Sequence, residues 1–332
     1  MGRVVLVTGV AGSFAARVSR TLAELGESPG DGTAIDRVVG IDTRPPEGDL
    51  GGVKFVRADI RTPVVGKVMA VEDVDTVVHL DVNPSEMARA GSGVKERNVI
   101  GTMQLLAACQ RSSQVSKLVL GSSTAVYGTS PRDPALFTES TPPQGGVRAG
   151  FPKDAVEVES YVRGFSRRRP DVLITILRTA QVLHPDIESP LRNYFANPML
   201  PSVLGFDPRL QFVHLDDVLA VLTESVVSDR PGTFNVAGEG VLLLSQIARR
   251  LGKPVIPLPP FGFAALAQRA IRTMGGEMSP DLHRLLTYGR AVDITALREI
   301  FGYEPVHSTE GTFELFRAAQ RPGLLSMVGG AR

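Results

Sequence analysis

The residues best placed for chemistry lie at the start of the chain, where the apolar run Val4 to Val7 gives way to the small residues of T-G-V-A-G-S-F-A. Gly9 and Gly12 remove the Cβ atoms that would hold backbone N–H groups away from an anion. A helix opening at Ser13 and Phe14 aims its positive dipole end at the same charge. Ala15 is a third small position, where a larger side chain would push the helix off the strand. The spacing G-x-x-G-x-x-A is that of a dinucleotide turn, and the group it suits is a pyrophosphate. Such turns also join strands to helices that bind nothing, so the next residues decide. V-V-G-I-D reads as a second strand ending at Asp42, whose carboxylate can accept both hydroxyls of an adenosine ribose. Its negative charge favours NAD over NADP, while Arg44, two residues on, keeps NADP open. A third strand, V-K-F-V-R-A-D-I, delivers Asp59 and Ile60; Asp59 reads equally as a contact to the adenine amino group or as a solvated surface carboxylate.

These residues need a scaffold, and the chain alternates strand with helix in the way a parallel sheet covered on both faces requires. A helix from Ser13 to about Leu25 follows the first strand. Asp75 to Leu80 is a fourth strand, and a long helix from about Gly93 to Arg111 carries Val94, Val99, Met103, Leu106 and Ala107 at roughly helical spacing. K-L-V-L-G-S-S is a fifth strand, a Pro/Gly/Ser/Thr-rich loop runs from Gly128 to Gly150, a helix spans about Pro152 to Arg168, and V-L-I-T-I-L-R is a sixth strand. The pattern predicts an α/β, Rossmann-type doubly wound parallel sheet over residues 1–180, with sheet contributions from about 208–236. Beyond Arg178 prolines cut the chain into short pieces. Strands are expected near Leu210 to Val213 and Thr233 to Val236, and helices over Asp216 to Ser228, Leu242 to Leu251 and Phe263 to Met274. Residues 181–330 are therefore expected to form mainly a smaller C-terminal substrate lobe that closes beside the nicotinamide.

Composition sets outer limits. With 332 residues, 43% hydrophobic and 21% charged, the chain can bury a substantial core. A net charge of +1 without a dense basic run gives no footprint for nucleic acid or a membrane surface, and Arg167 to Arg169 decorate a helix end. One cysteine, Cys109 in Q-L-L-A-A-C-Q, makes no internal disulfide and suits a buried helix position in a reducing cytoplasm. The first strand begins almost at Met1, so cleavage of a signal peptide would destroy the nucleotide turn, and no uncharged run approaches membrane-spanning length. His79, His184, His214, His283 and His307 lack zinc-ligand spacing, and G-S-S-T-A lacks the hydrolase elbow G-x-S-x-G.

The order of motifs resembles the extended short-chain dehydrogenases/reductases, the NAD-dependent epimerase/dehydratase family of which UDP-glucose 4-epimerase is a familiar member. The resemblance runs through A-D-I at Asp59, V-V-H-L at His79 and Leu80, N-V-I-G-T at Asn98, S-S-T-A-V-Y-G at Ser122, I-L-R-T-A at Arg178, F-V-H-L-D-D-V at Asp216, T-F-N-V-A-G at Asn235 and R-E-I-F-G-Y-E-P near Phe301. It implies a cofactor site built from Gly9, Gly12, Ser13, Phe14, Asp42, Asp59, Ile60, Leu80 and Asn98, and a homodimer through the helices at 93–111 and 152–168. It also implies a catalytic Ser or Thr on the fifth strand, matched by Ser123, and a Tyr-x-x-x-Lys pair on the next helix. That lysine would lower the tyrosine pKa from about 10 toward neutrality. Aligning Glu159 on the glutamate four residues past the lysine puts Phe151 at the tyrosine position and Ala155 at the lysine position.

Phenylalanine offers no proton and alanine no charge, so another group must serve if hydride chemistry persists. The candidates are Lys153, Tyr127 and Asp81, each with a bland alternative: a solvated first-turn lysine, a cleft-wall aromatic and a cap before Asn83-Pro84. His79, on an apolar strand, reads as a satisfied core histidine. For a nucleotide-sugar diphosphate, the resemblance implies an arginine just before Q-F-V-H-L; Arg209 lies one residue from that position, which Leu210 occupies, and Arg192 and Arg290 are further sources of positive charge. The sequence thus predicts an NAD-dependent, nucleotide-sugar epimerase/dehydratase-like oxidoreductase with a non-standard acid/base group. The alternative is a catalytically impaired NAD(H)-binding sensor or partner-binding protein of the same fold.

Overall fold

The computed structural model describes residues 2–26, 35–82, 96–143, 150–261 and 279–320. The chain divides into two compact units. One comprises Met1–Ala180, Val218–Val236 and Val292–Glu304, the other Gln181–Asp217, Ala237–Ala291 and Pro305–Arg332.

The first unit is built on strands β1 (Arg3–Thr8), β2 (Ile35–Asp42), β3 (Lys54–Arg57), β4 (Thr76–His79), β5 (Lys117–Ser123) and β6 (Leu173–Thr179). Helices α1 (Ser13–Gly26), α2 (Val64–Val71), α3 (Thr102–Arg111) and α4 (Phe151–Arg168) alternate with them. The helix expected from about Gly93 begins in the described chain as a π-helical turn, Glu96–Gly101, that runs into α3; Val94 lies outside the described residues. Near-continuous apolar runs such as Val5 to Val7 and Leu118 to Leu120 are fully buried, as strands covered by helices on both faces must be.

A seventh strand, Gly232–Val236, pairs parallel with β6, so every neighbour in the sheet is parallel. Its order places β4, β5, β6 and this strand on one side of β1, and β2 and β3 on the other. Direction therefore reverses between β1 and β4, and the carboxyl ends of those two strands flank the switch point where such sheets bind ligands. The sheet contribution expected from about 208–236 is confined to Gly232–Val236. Arg209–Leu210 and Phe212–Val213 pair instead with Leu242–Leu243 and Gln181–Val182 in the second unit.

The second unit has its own core, formed by Tyr194, Phe195, Phe212, Leu285, Phe313 and their neighbours. Its helices are α5 (Pro190–Ala196), α7 (Leu244–Leu251), α8 (Pro280–Tyr288) and α9 (Thr309–Gln320), while α6 (Leu215–Val227) passes from this unit back into the first. The helix expected over Phe263 to Met274 lies outside the described residues. Among the described residues no helix is long and apolar enough to cross a membrane.

Candidate cofactor and active site

The turn after β1 has the shape its composition requires. Gly9 sits at φ +82°, a conformation that favours glycine, and a Cβ there would stand 3.1 Å from both Cα and Cβ of Asp81, so any other residue would have to push the end of β4 away by a few tenths of an ångström. Gly9 N–H donates to Ile41 O at 2.9 Å, and Gly12 N–H to Gly9 O at 3.0 Å. Ala16 N–H to Gly12 O, 2.9 Å, is an opening bond of the helical ladder, which leaves Ser13, Phe14 and Ala15 with their N–H groups ahead of it. No acidic residue occupies the first turn of α1, as suits an end that receives an anion. Ala15 is buried against the sheet, and Ser13 and Gly12 are exposed.

Asp42 closes β2 as expected. Its Oδ2 accepts Ala11 N–H at 3.1 Å, and its Oδ1 accepts Arg44 N–H at 3.2 Å and the Thr43 hydroxyl at 3.3 Å. Three long bonds orient a carboxylate that has about four acceptor positions, so capacity for a ribose hydroxyl remains. Asp59 is engaged differently: Arg61 Nε lies 3.0 and 3.1 Å from its two oxygens, and Arg61 Nη2 lies 2.6 Å from Oδ2. Those hydrogen bonds hold the Asp59 carboxyl below its ordinary range. Ile60 and Leu80 are buried, and their side chains fill the space over Gly101 and Gly121, 2.6 Å from where each missing Cβ would stand.

Beneath the turn, His79 is held from both sides. Thr8 Oγ1 accepts Leu80 N–H and Asp81 N–H at 3.1 and 3.2 Å, so its one hydrogen goes to His79 Nδ1 at 2.8 Å. Thr102 Oγ1 gives its hydrogen to Asn98 O at 2.5 Å and therefore accepts from His79 Nε2, 2.8 Å away. The ring is neutral with its proton on Nε2, and burial pushes its pKa down to about 4. His79 is thus a core histidine, as read from its strand.

The other end of the same sheet edge carries an ion-paired cluster. Arg178 on β6 meets Glu159 on α4 through Nε to Oε1 at 3.0 Å and Nη2 to Oε2 at 2.7 Å, and both side chains are almost fully buried. Glu159 also accepts the Ser122 hydroxyl at 2.7 Å and Arg163 Nη1 at 2.9 Å. Arg178 Nη1 reaches the Tyr127 hydroxyl at 2.8 Å, which donates to Asn235 Oδ1 at 2.7 Å. Tyr127 stacks on Phe137 with centroids 4.8 Å apart, and its phenol pKa is raised, chiefly by burial. Glu139, also raised by burial, accepts Asn235 N–H at 2.7 Å.

Against this geometry, a family model described as the NAD dependent epimerase/dehydratase family matches residues 5–237. An uncharacterized protein of Mycobacterium tuberculosis is 39% identical over 317 residues, 94% of this chain and 82% of the relative. The chain belongs to the NAD dependent epimerase/dehydratase family. Among solved structures of similar fold, dTDP-glucose 4,6-dehydratase from Bacillus anthracis, in complex with NAD, superposes with a TM-score of 0.69 at 17% identity, covering 95% of this chain and 96% of that one. UDP-glucuronic acid 4-epimerase from Bacillus cereus, in complex with UDP-glucuronic acid and NAD, does so with a TM-score of 0.69 at 18% identity, covering 95% and 99%. NAD is the cofactor in the family's name, and the exposed Gly12–Ser13 start of α1, with no acidic residue in its first turn, is a helix end of the kind that takes such a cofactor's pyrophosphate.

Within this epimerase/dehydratase fold, the candidates for acid–base work separate. Phe151 packs on the main core and Ala155 is buried, so the tyrosine and lysine positions are occupied by packing. Tyr127, a candidate acid–base phenol with a cleft-wall aromatic as its alternative, is instead a buried member of the Arg178 cluster: Thr124–Tyr127 is a 3-10 turn that folds the ring inward. Lys153 lies on the exposed side of α4 at 3.8 Å from Glu157, a solvated first-turn lysine. Ser123 Oγ accepts Ala125 N–H at 3.2 Å, capping the 3-10 turn with its hydroxyl hydrogen still available to donate. Asp81 is largely buried at the switch point, and Asn98, expected at the cofactor, is buried with its Nδ2 donating to Asp154 Oδ2 at 3.2 Å.

In the second unit Arg209 is exposed, whereas Arg290 is buried and paired with Asp281 at 3.2 Å. Arg290 is therefore corrected from a source of diphosphate charge to an internal ion pair. Arg192 Nα is an N-cap donor to Ser189 Oγ at 3.1 Å. Sequence reading missed two clusters. One is the Glu159–Arg178–Tyr127 network; the other brings His184, His214 and His307 together, with the latter two rings 4.1 Å apart and His307 Nδ1 3.0 Å from Asp217 Oδ2. Cys109 is buried, its thiol pushed up to about 12, and carries no nucleophilic role.

Proposed function

We propose that this chain binds NAD and acts as a nucleotide-sugar epimerase/dehydratase-like oxidoreductase in which Asp81 replaces the absent tyrosine as acid–base group. The observation that carries the reading is the contact of Asp81 with Gly9 at the switch point between β1 and β4. The pyrophosphate is held by the Gly9 to Gly12 turn with Ser13 and Phe14, the adenosine ribose by Asp42, and the adenine end by Asp59 and Ile60. Leu80 and Asn98 shape the wall from beneath.

When bound, NAD supplies a reversible hydride acceptor. The protein's part is to hold the substrate hydroxyl and move its proton. Ser123, at the end of β5 beside β4, donates a hydrogen bond to that hydroxyl. Asp81 takes the proton onto a carboxylate oxygen and returns it. A positioned acid–base group is worth roughly 10²- to 10⁴-fold, which sets the expected deficit if Asp81 is lost.

A nucleotide-sugar substrate is supported by family membership and by the ligands of its solved members, with exposed Arg209 a contact for the diphosphate. A homodimer through the 96–111 and 151–168 helices is supported by exposed apolar side chains on them, Ile100, Met103 and Tyr161. A cytoplasmic setting accords with a single, buried, free cysteine.

A second reading has its own observation: the packing of Phe151 and Ala155 suits a protein that holds NAD(H) without turnover and reports redox state to a partner. One experiment separates the two. The purified chain, shown by calorimetry to bind NAD, is offered UDP- and dTDP-sugars and product formation is followed. Conversion that falls at least a hundredfold in Asp81→Asn, with NAD affinity kept, supports the enzyme. Silence across the panel with NAD bound supports the sensor.

A further inference from the structure

Asp154 has no part in the roles above, yet the residue is 4% exposed in the first turn of α4, directly before the alanine aligned with the lysine position. It accepts Asn98 Nδ2 at 3.2 Å, and Asn98, 1% exposed, lies within the π-helical turn. The Asn98 carbonyl takes the Thr102 hydroxyl, Thr102 takes His79 Nε2–H, and His79 takes the Thr8 hydroxyl, whose lone pairs hold Leu80 N–H and Asp81 N–H. Buried polar side chains thus run without a gap from α4 through the π turn, α3, β4 and β1 to the Asp81 peptide that abuts Gly9.

The chain of bonds cannot conduct a proton. At Asn98 the link to Asp154 is an amide N–H and the link to Thr102 is a backbone carbonyl, and neither passes a proton to the other. It can fix geometry. Each hydroxyl has one hydrogen, and each is already committed, so the ring of His79 has one orientation and one tautomer that satisfy every group. Flipping the proton to Nδ1 would set two hydrogens against each other at Thr8 and strand Nε2 at Thr102. A π turn kept inside a helix is a costly local form, often found where a site needs it.

We propose that Asp154, Asn98 and Thr102 are positioning residues for the NAD turn, acting through His79 and Thr8 on the Leu80–Asp81 peptide. The inference rests on the reading that NAD lies on the Gly9 turn. It makes cofactor affinity depend on side chains in α3, α4 and the π turn that serve the cofactor through their hold on His79.

The test compares NAD dissociation constants by calorimetry for the wild-type chain, Thr102→Val and Thr102→Ser, with ¹⁵N-histidine NMR reading the His79 tautomer. Thr102→Val keeps shape but leaves His79 Nε2–H without an acceptor, and it is expected to weaken NAD about tenfold and to mix the two tautomers. Thr102→Ser restores both within about twofold, which a role limited to packing would not produce. Should Thr102→Val fail to fold, Asp154→Ala gives the same reading at the other end, with an expected weakening of about threefold or more. A folded Thr102→Val or Asp154→Ala with wild-type NAD affinity, or a wild-type His79 protonated on Nδ1, overturns this inference while leaving the cofactor site standing. Absence of any NAD binding by the wild-type chain overturns the cofactor reading, and this inference with it.

Discussion

The two halves of the sheet's carboxyl edge are built from opposite kinds of polar chemistry. Between β1 and β4 the linked buried side chains are neutral, Thr8, His79 and Thr102, and they hold the backbone beside the buried carboxylate of Asp81. Around β5, β6 and α4 they are charged, Glu159 and Arg178, and they lock side chains shut around Tyr127. The difference accords with the proposed division between ligand binding and bare structure. On that proposal, a turn that takes a pyrophosphate gains from neutral supports, because the ligand brings the charge. The half that in this family would carry tyrosine and lysine has instead closed over its ionisable groups, with Phe151 and Ala155 packed beside them.

The largest expected effect breaks the charged half. Arg178→Met removes one partner of a pair whose side chains are 2% and 0% exposed and leaves the Glu159 carboxylate in the core. Stranding a buried charge costs about 3 to 5 kcal/mol, and Arg163 on the same carboxylate places the loss near 3. Chemical denaturation should show it directly. A variant as stable as wild type would mean that the pair is not closed as described.

The neutral half should reveal itself by acid. Unfolded histidine takes up a proton near pH 6.5, whereas buried His79 resists until about pH 4, so between these values unfolding binds a proton. Its contribution to stability is full above about pH 6.5 and is lost as pH falls toward 4, by at most about 3 kcal/mol. His79→Gln should flatten the slope of stability against pH in that window. An unchanged slope would assign the acid sensitivity elsewhere, with His214, lowered chiefly by burial, the next histidine to test.

These two clusters mark how far the sequence could be read. The neutral half was legible because its signals are local: Gly9 and Gly12 precede a helix, Asp42 ends a strand, and an apolar strand announces His79 as core. Six of the seven parallel strands followed from the same alternation; of the 208–236 stretch expected to contribute, only Gly232–Val236 reaches the sheet. The charged half was not legible. Glu159 and Arg178 are 19 residues apart, Tyr127 and Arg178 are 51, and Tyr127 and Asn235 are 108, and no periodicity encodes such pairings. A motif gives the residue type of Tyr127 but not the inward rotation that its 3-10 turn imposes. Arg290 is buried for a similar reason: Gly289 at φ +74° brings the backbone onto Arg209 so closely that a Cβ would stand 2.5 Å from its carbonyl oxygen.

A smaller effect sharpens the binding side. Asp42→Ala removes the proposed acceptor for the ribose and also the anchor of Ala11 N–H, Thr43 and Arg44. Loss of a charge-assisted contact predicts NAD affinity lower by about tenfold, or about 1.4 kcal/mol, with NADP affected less. Calorimetry with both cofactors reads this, and equal losses would show that the carboxylate does not select between them.

The smallest effect on the fold asks whether the charged half has lost its chemistry beyond recovery. Phe151 is half-buried at the first position of α4, so Phe151→Tyr adds a hydroxyl at a helix start with water within reach, and stability should change by less than about 1 kcal/mol. Ala155 is 1% exposed beside Asp154, so Ala155→Lys must thread its stem out of the core before its ammonium can serve a phenol, and it should cost more. Any new activity therefore depends on the double variant folding with the lysine turned toward the edge, where that cation would lower the phenol pKa. Sugar conversion that rises in the double variant but not in Phe151→Tyr alone would show that the edge kept its geometry and lost only two groups. No gain, with NAD still bound and the chain folded, would show that the packing of α4 around Asp154, Glu159 and the Arg178 of β6 is built for structure and no longer admits the tyrosine–lysine chemistry.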